Sequence, residues 1–250
     1  MTLYNEIFDL NKHKDICPTC KSDYNTFSCE RKDWKTSDCN CYLQNKLWKD
    51  YSLANIPNDY FSKDFNDYSF FETEKEKKYF KEIKKYINNL DKVYEYGASL
   101  FLYNKLSYVG KTFFAICILK EAYRKNYSIK FVQFAKIYSE VISNRDCEQF
   151  LKNLNKFDFL VIDSTDKIIK KEFLTDIKLL NYFENFLKNR FKPIIFTSSS
   201  QLDENIEILK IIKKSLRNRI YELYVDSSQQ YYNPNNYWEN ILSEKLKIIK

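Results

Sequence analysis

Five short apolar segments, separated by helical stretches, dominate the chain from residue 99 onward. They span residues 99–103, 129–134, 157–162, 193–197 and 220–225. Short apolar strands that alternate with helices are typical of a parallel sheet with crossover helices on its faces. The sequence therefore predicts an α/β fold for this part of the chain.

Glycine is scarce, with 2 residues in a chain of 250. Average usage would give about 17. A glycine kept in such a background is expected where the backbone needs a positive φ or where another group approaches closely. Gly97 and Gly110 are therefore expected to occupy positions that backbone geometry restricts to glycine.

The order strand, loop, Gly110-Lys111-Thr112 and helix predicts a phosphate-binding loop. In such a loop the helix N-terminus binds phosphates, Lys111 reaches the β- and γ-phosphates, and Thr112 binds Mg²⁺. The complete motif has a further glycine where Lys105 stands, and many loops have one at Tyr108. The predicted nucleotide-binding residues here are Asn104, Val109, Gly110, Lys111, Thr112 and Phe113.

A carboxylate, Asp163, directly follows the third apolar segment. An acid in that place holds Mg²⁺ or its hydration shell opposite Thr112. Together the two elements predict a P-loop ATPase core that uses ATP and Mg²⁺, with Lys111 and Asp163 in catalytic roles. The alternative is an unrelated parallel α/β domain in which a strand happens to end in Asp163.

Cysteines are concentrated at the N-terminus, where they form two close pairs. The pairs supply four predicted zinc ligands, Cys17, Cys20, Cys39 and Cys41. Two thiolate pairs at this spacing suit a tetrahedral Cys₄ zinc site. The alternative is a disulfide-linked knot, which needs an oxidising compartment. Cys29 and His13 lie nearby as bystanders, or Cys29 replaces one of the four.

Four parts follow from these patterns. They are a zinc-binding module over 1–50, a connector with an amphipathic helix over 51–96, the ATPase core over 97–226 and a C-terminal tail or helix over 227–250. The amphipathic helix is predicted over residues 73–92, where Phe80, Ile83, Ile87 and Leu90 recur at helical spacing.

The net charge of +7 permits a polyanionic partner without requiring one. No apolar run approaches the roughly 20 residues of a membrane-spanning helix. The N-terminal residues also lack the basic and apolar regions of a signal peptide. We therefore expect a cytoplasmic protein without membrane contact.

The order of these features resembles the replicative-helicase loaders of the DnaC type in their phage or Gram-positive form. These loaders are AAA+ ATPases related to the IstB transposition helper. The resemblance covers most of the chain, and its motifs are specific in their order rather than singly. It rests on the two cysteine pairs, Ile56-Pro57-x-x-Tyr60, Phe65-x-x-Tyr68, Gly110-Lys111-Thr112 and the segments 158–163, 192–198 and 216–220.

This resemblance implies a P-loop AAA+ sheet and three interactions. The partners would be a hexameric replicative helicase and single-stranded DNA, and the chain would self-assemble on binding ATP. By position, the resemblance places the sensor 1 residue at Ser199 and the arginine finger at Arg219 or Arg217. For the two arginines, the alternative is ordinary surface charge.

Two positions depart from the family pattern. Ser164 stands where family members have the acid that polarises the attacking water, and Ser199 stands where they have asparagine. Serine is no general base at neutral pH without an activating partner, and Asp166 is the nearest acid that follows. We therefore expect ATP binding with slow hydrolysis. The alternatives are an IstB-like transposition helper and a non-hydrolysing adaptor, the latter supported by Ser164, Ser199 and Lys105.

Overall fold

The computed structural model describes residues 40–67, 74–107, 109–143, 147–166 and 177–225. The chain divides into two compact units, Met1–Asp64 and Phe65–Lys250. Within the described ranges, no helix has both the length and the apolarity that a membrane span requires.

The zinc-binding module falls largely outside the described residues. Cys17, Cys20 and Cys39 lie outside them, as do Cys29 and His13, and of Cys41 only the backbone is described. The Cys₄ zinc site therefore stays a prediction, and so do the four proposed parts of the chain.

Helix α1, Asn40–Leu53, is the main described element of the first unit and runs past residue 50, where the predicted module ends. Asn55 ends this segment with a φ of 62°. The chain then turns back, so that the Phe61 ring lies 6.2 Å from that of Trp48 and 6.0 Å from that of Tyr51. Aromatic packing thus stabilises the turn after the helix.

The predicted helix over residues 73–92 is two helices, α2 (Glu74–Asn88) and α3 (Leu90–Tyr96). Asn89 separates them, with φ of −111° and ψ of 21°. Its side-chain Nδ2 donates to the carbonyl of Lys85 at 2.8 Å. An asparagine side chain that bonds the nearby backbone competes with helical hydrogen bonding. The spacing of apolar residues, on which the prediction of one helix was based, contains no information about such a bond.

The apolar face of α2 is also shifted from the predicted one. Ile83 and Leu90 are buried as expected, but Tyr79 is buried too, whereas Phe80 and Ile87 are only half-buried. The Tyr79 ring contacts Phe114 at 5.6 Å between centroids, which places this face of α2 against the helix of the phosphate-binding loop.

Five parallel strands form one sheet in the order β2-β3-β4-β1-β5. The strands are β1 (Ser99–Tyr103), β2 (Ile129–Gln133), β3 (Phe159–Asp163), β4 (Ile194–Ser198) and β5 (Ile220–Tyr224). The connecting helices are α4 (Lys111–Arg124), α5 (Phe134–Ile142), α6 (Cys147–Asn155), α7 (Ile177–Asn189) and α8 (Glu207–Leu216). Each predicted strand is present, with ends that differ by two residues or fewer.

The core lies on both faces of this sheet. Every residue of β3 and β4 is buried, as expected for parallel strands covered by helices on each side. Side chains of α5, α6, α7 and α8 pack with Phe101, Leu160 and Phe196 on one face, and α4 packs across β1 to β4. Double burial explains why the segments form continuous apolar runs rather than alternating patterns.

Candidate nucleotide-binding site

The parallel strands β1, β3 and β4 have their C-terminal ends at the same end of the sheet. This end is here called the carboxyl edge. The crevice outside the carboxyl ends of parallel strands is where α/β sheets bind ligands. The loop after β1 leads to α4, the turn after β3 begins at Asp163 and Ser164, and the loop after β4 contains Ser199. Three of the predicted catalytic residues, Lys111, Asp163 and Ser199, therefore lie at this edge.

Gly110 immediately precedes α4 and has a φ of 89°. This left-handed backbone confirms that the position favours glycine. No side chain caps the helix at Gly110, and the first amide groups of a helix have no partners within it. The loop thus presents backbone donors and the positive end of a helix of 14 residues, an arrangement that suits phosphate.

Lys111 holds its ammonium group inside the loop that precedes it. Its Nζ donates to the carbonyl of Asn104 at 2.8 Å and to that of Leu106 at 2.6 Å. Both acceptors are neutral backbone carbonyls of the loop. The role of Lys111 in binding phosphate stays a prediction.

Asn104 anchors the loop instead of projecting from it. The residue is buried, and its Nδ2 donates to the carbonyl of Val225 at 2.6 Å while its Oδ1 accepts from the amide of Leu106 at 2.7 Å. The second bond closes a local turn of the kind that asparagine stabilises. Lys105, at the tip of this turn, has no positive φ, so its backbone does not require the glycine of the complete motif.

Two further residues predicted to bind nucleotide, Val109 and Phe113, make packing contacts. Val109 is fully buried, and the half-buried Phe113 ring packs edge-on against Phe114 with 5.4 Å between centroids. A contact of Val109 with nucleotide would therefore use its backbone. Tyr108 lies outside the described residues.

Asp163 is the centre of a cluster of hydroxyl groups. Thr112 Oγ1 and Thr197 Oγ1 each donate to its Oδ1 at 2.7 Å, and Ser164 Oγ donates to its Oδ2 at 3.1 Å. Three hydroxyl donors thus converge on the two oxygens of one carboxyl group. The pairing of Thr112 with Asp163, predicted from residues 51 positions apart, is present.

These residues fit a magnesium ion. Mg²⁺ prefers hard oxygen ligands and takes one or two of them from the protein, completing its shell with water and phosphate oxygens. Thr112 and Asp163 supply one hydroxyl and one carboxylate at adjacent positions. In the described ranges, no group of three or more His, Cys, Asp and Glu side chains could hold a metal ion.

Ser164 and Ser199, the two positions that depart from the family pattern, each bond a nearby carboxylate. Ser164 has a φ of 58°, and its hydroxyl is directed to Asp163. The amide of Ser199 donates to Asp166 Oδ1 at 2.9 Å, so the Asp166 carboxylate lies beside the predicted sensor position. The sequence placed Asp166 near the site only by proximity along the chain, and the hydrogen bond shows which loop it reaches.

Arg219 lies at the other end of the sheet, where the strands begin. This end is here called the amino edge. Arg219 directly precedes β5, donates from Nη1 to the carbonyl of Arg190 at 3.1 Å, and has its guanidinium carbon 5.3 Å from the centre of the Phe191 ring. A strand of five residues, such as β5, spans about 16 Å. The structure therefore does not bring Arg219 together with Lys111 and Asp163 of the same chain, and the neighbouring Arg217 is exposed.

Arg190 is a structural centre that the sequence does not reveal. It is 2% exposed, and its guanidinium donates to four backbone carbonyls, those of Leu154, Phe157, Asp158 and Pro193, at 3.0 to 3.4 Å. Burial lowers the pKa of the guanidinium to about 10, which leaves it charged at neutral pH. Because its partners are backbone groups, no motif marks it.

Asp158 joins the same edge through side-chain bonds. Its carboxylate accepts from Lys192 Nζ at 2.9 Å, from Ser128 Oγ at 2.7 Å and from Tyr94 Oη at 3.1 Å. Partial burial opposes its ionisation, but the bonds from Lys192 and Ser128 outweigh that effect and lower its pKa to about 2.

No protein-family model matches the chain, and no curated protein matches its sequence. Solved structures do. The crystal structure of the DnaC helicase loader matches with a TM-score of 0.50 and 18% identity over 68% of this chain and 100% of that one. DnaI matches with a TM-score of 0.53 and 16% identity over 70% of this chain and 94% of that one. A putative primosome component from Streptococcus pyogenes serotype M3 matches with a TM-score of 0.50 and 16% identity over 70% of this chain and 92% of that one. The predicted parallel sheet with crossover helices is confirmed, and its fold is similar to the folds of these three structures.

Proposed function

We propose that this chain is an ATP-binding helicase loader that delivers a hexameric replicative helicase onto single-stranded DNA. The observation that carries the proposal is the hydrogen bond of 2.7 Å between Thr112 and Asp163, next to an ammonium group held within the loop. It joins the two halves of a nucleotide-magnesium site on a fold that DnaC and DnaI share.

In this proposal each residue at the carboxyl edge has a defined task. The first amides of α4 and the Lys111 ammonium bind the phosphates. Thr112 and Asp163 would hold Mg²⁺, which would neutralise phosphate charge when bound. Asn104 keeps the loop attached to the backbone of Val225 beside β5, so the phosphate site is tied to the edge strand.

Slow hydrolysis is part of the proposal. Ser164 directs its hydroxyl to Asp163, and its backbone amide donates to Thr197 Oγ1 at 2.8 Å. The Ser164 side chain carries no carboxylate, so this position supplies no acidic group that could polarise the attacking water. The same observation favours a second candidate, a non-hydrolysing adaptor, which steady-state ATP turnover would distinguish from a slow ATPase.

Assembly would use the two edges of the sheet in different copies. Arg219 lies at the amino edge, too far from the phosphate loop of its own chain, so a nucleotide contact by Arg219 requires a neighbouring copy. We propose that ATP promotes this contact and thereby self-assembly. We also propose that the N-terminal cysteines bind Zn²⁺, which metal analysis of the purified full chain would test.

The test is the affinity of the full chain for ATP and ADP in the presence of Mg²⁺. Lys111→Ala should weaken ATP binding by about 100-fold or more, because it removes the ammonium from the phosphate site. Lys105→Ala is the matched control, since Lys105 is an exposed lysine of the same loop. Co-purification with a replicative helicase and delivery of it to single-stranded DNA would then test the loader function. A wild-type protein that binds no nucleotide would overturn the ATP-dependent proposal.

A further inference from the structure

The geometry points to Thr197 as a positioning residue for the magnesium site. Its hydroxyl fixes the Asp163 carboxylate toward Thr112 and connects the ends of β3 and β4. The inference rests on the proposed nucleotide binding and adds to it a residue that lies outside the phosphate-binding loop and the strand-end acid.

Thr197 bonds two consecutive residues with one hydroxyl group. Its Oγ1 donates to Asp163 Oδ1 at 2.7 Å and accepts from the amide of Ser164 at 2.8 Å. A hydroxyl has a single proton, and the carboxylate can only accept, so the direction of both bonds is determined. Thr197 is 2% exposed, which keeps water from replacing either bond.

The backbone of Thr197 strengthens the same connection. Its carbonyl accepts from the amide of Thr165 at 2.9 Å and from Thr165 Oγ1 at 3.0 Å. The regular pairing of β3 with β4 runs to Ile162 and Phe196. Directly after that pair, bonds involving the Thr197 side chain and carbonyl connect the chain that follows β3 to the end of β4.

The bonds also explain the backbone of Ser164. A φ of 58° is a left-handed conformation that residues with a Cβ rarely adopt. It is maintained by the bonds that Thr197 accepts from the amides of Ser164 and Thr165, on either side of the Ser164 Cα. This turn directs the Ser164 hydroxyl back to Asp163 Oδ2, so Thr197 controls both oxygens of the carboxylate, one directly and one through Ser164.

Both Thr112 and Thr197 donate to the same oxygen of Asp163. Thr197 is part of a buried strand, whereas Thr112 belongs to the first turn of a helix that borders the phosphate loop. Thr197 is therefore the fixed support, and its removal leaves the carboxylate free to rotate away from Thr112. The cost should appear in magnesium-dependent binding of nucleotide and not in binding without magnesium.

The experiment measures the affinity of the full chain for a fluorescent ATP analogue while Mg²⁺ is titrated, and again in EDTA. Thr197→Val keeps the shape of the side chain but removes the hydroxyl. It should raise about tenfold the Mg²⁺ concentration at which the enhancement of analogue binding is half-maximal. This is the size expected for losing one hydrogen bond to a charged group. The affinity for the analogue in EDTA should stay within about twofold of the wild-type value. Thr197→Ser should restore the wild-type dependence on Mg²⁺.

Ser200→Ala is the matched control, because Ser200 is a half-buried hydroxyl residue of the loop after β4 that has no bond to Asp163. If Thr197→Val does not fold, Thr197→Cys replaces it, with a weaker donor and an expected intermediate requirement. The inference is overturned if Thr197→Val, or Thr197→Cys where it replaces that variant, needs no more Mg²⁺ than the wild type; the proposal of nucleotide binding is then unaffected. The inference is also overturned if Thr197→Ser needs more Mg²⁺ than the wild type. Absence of magnesium-dependent binding in the wild type overturns the proposed function instead.

Discussion

The two edges of the sheet are constructed from different kinds of interaction. At the carboxyl edge, hydroxyl groups of Thr112, Thr197 and Ser164 converge on one carboxylate, and a lysine ammonium is held by neutral carbonyls. At the amino edge, one buried guanidinium bonds four backbone carbonyls that belong to the ends of several elements. The first arrangement groups polar side chains beside a helix N-terminus, and the second satisfies backbone carbonyls at the ends of several elements.

From this difference we expect substitutions at the two edges to affect different properties of the protein. Substitutions at the carboxyl edge should change ligand binding at a smaller cost in stability. Substitutions at the amino edge should lower the free energy of unfolding before they change any property of the phosphate site. The predictions below test this separation.

The largest effect is expected at Arg190. Arg190→Leu should lower the free energy of unfolding by about 4 kcal/mol, because it leaves several buried carbonyls without donors. Urea denaturation of the full chain measures the change. Arg217→Gln, an exposed arginine of the same edge, should change stability by less than about 0.5 kcal/mol. Equal effects of the two substitutions would contradict the structural role assigned to Arg190.

The two glycines offer a direct comparison of the edges. A Cβ on Gly97 would lie 2.2 Å from the carbonyl oxygen of Phe191, and Gly97 has a φ of 60°. Gly97→Ala should therefore lower the free energy of unfolding by about 3 kcal/mol through overpacking and backbone strain. Thermal and urea unfolding would measure it.

Gly110→Ala is the matched variant at the carboxyl edge, where φ is 89°. It should lower stability by only about 1 to 2 kcal/mol, the strain contribution alone. If the proposed function holds, it should also weaken ATP binding, because it adds a methyl group to the loop that is proposed to bind phosphate. A Gly110→Ala protein that is less stable than Gly97→Ala would reverse the expected order.

The difference between the edges also decides what the sequence could reveal. The carboxyl edge was predictable because its residues are tied to chain order: a strand, Gly110-Lys111-Thr112, a helix, and a strand that ends in Asp163. The loop after β4 was predicted through Ser199, yet the residue that contacts Asp163 is Thr197. A threonine in a buried apolar run carries no signal of its own, and the contact depends on strand register.

At the amino edge the sequence gives little guidance. Arg190 contacts carbonyls up to 36 positions away, and backbone acceptors have no residue type to recognise. The break of the predicted helix at Asn89 has a related origin, since it depends on one side-chain bond to the carbonyl of Lys85. Gly97 was singled out by rarity alone, and only the structure identifies Phe191 as the reason for it.

The smallest effect is expected at Asp158, and it depends on pH. Its pKa is about 2 in the folded chain, against 3.8 as the ordinary value. A carboxyl group whose folded pKa is lowered stabilises the fold above its unfolded pKa, and this contribution is lost as pH falls through the folded pKa. Asp158→Asn should therefore cost about 1 kcal/mol at pH 7, a value reduced for the solvent exposure of the group. The difference from wild type should disappear between about pH 4 and pH 2.

Lys192 provides the control for this prediction, because it donates to Asp158 at 2.9 Å. In a Lys192→Met background the effect of Asp158→Asn should shrink, since one of the bonds that lowers the pKa of Asp158 is gone. Urea denaturation of the four proteins at pH 7 and near pH 3 measures the coupling. ATP affinity should be unchanged in all four at pH 7, because Asp158 precedes β3 whereas Asp163 ends it, and the strand between them separates this ion pair from the phosphate site. A loss of ATP affinity equal to the loss of stability would show that the two edges are coupled through β3.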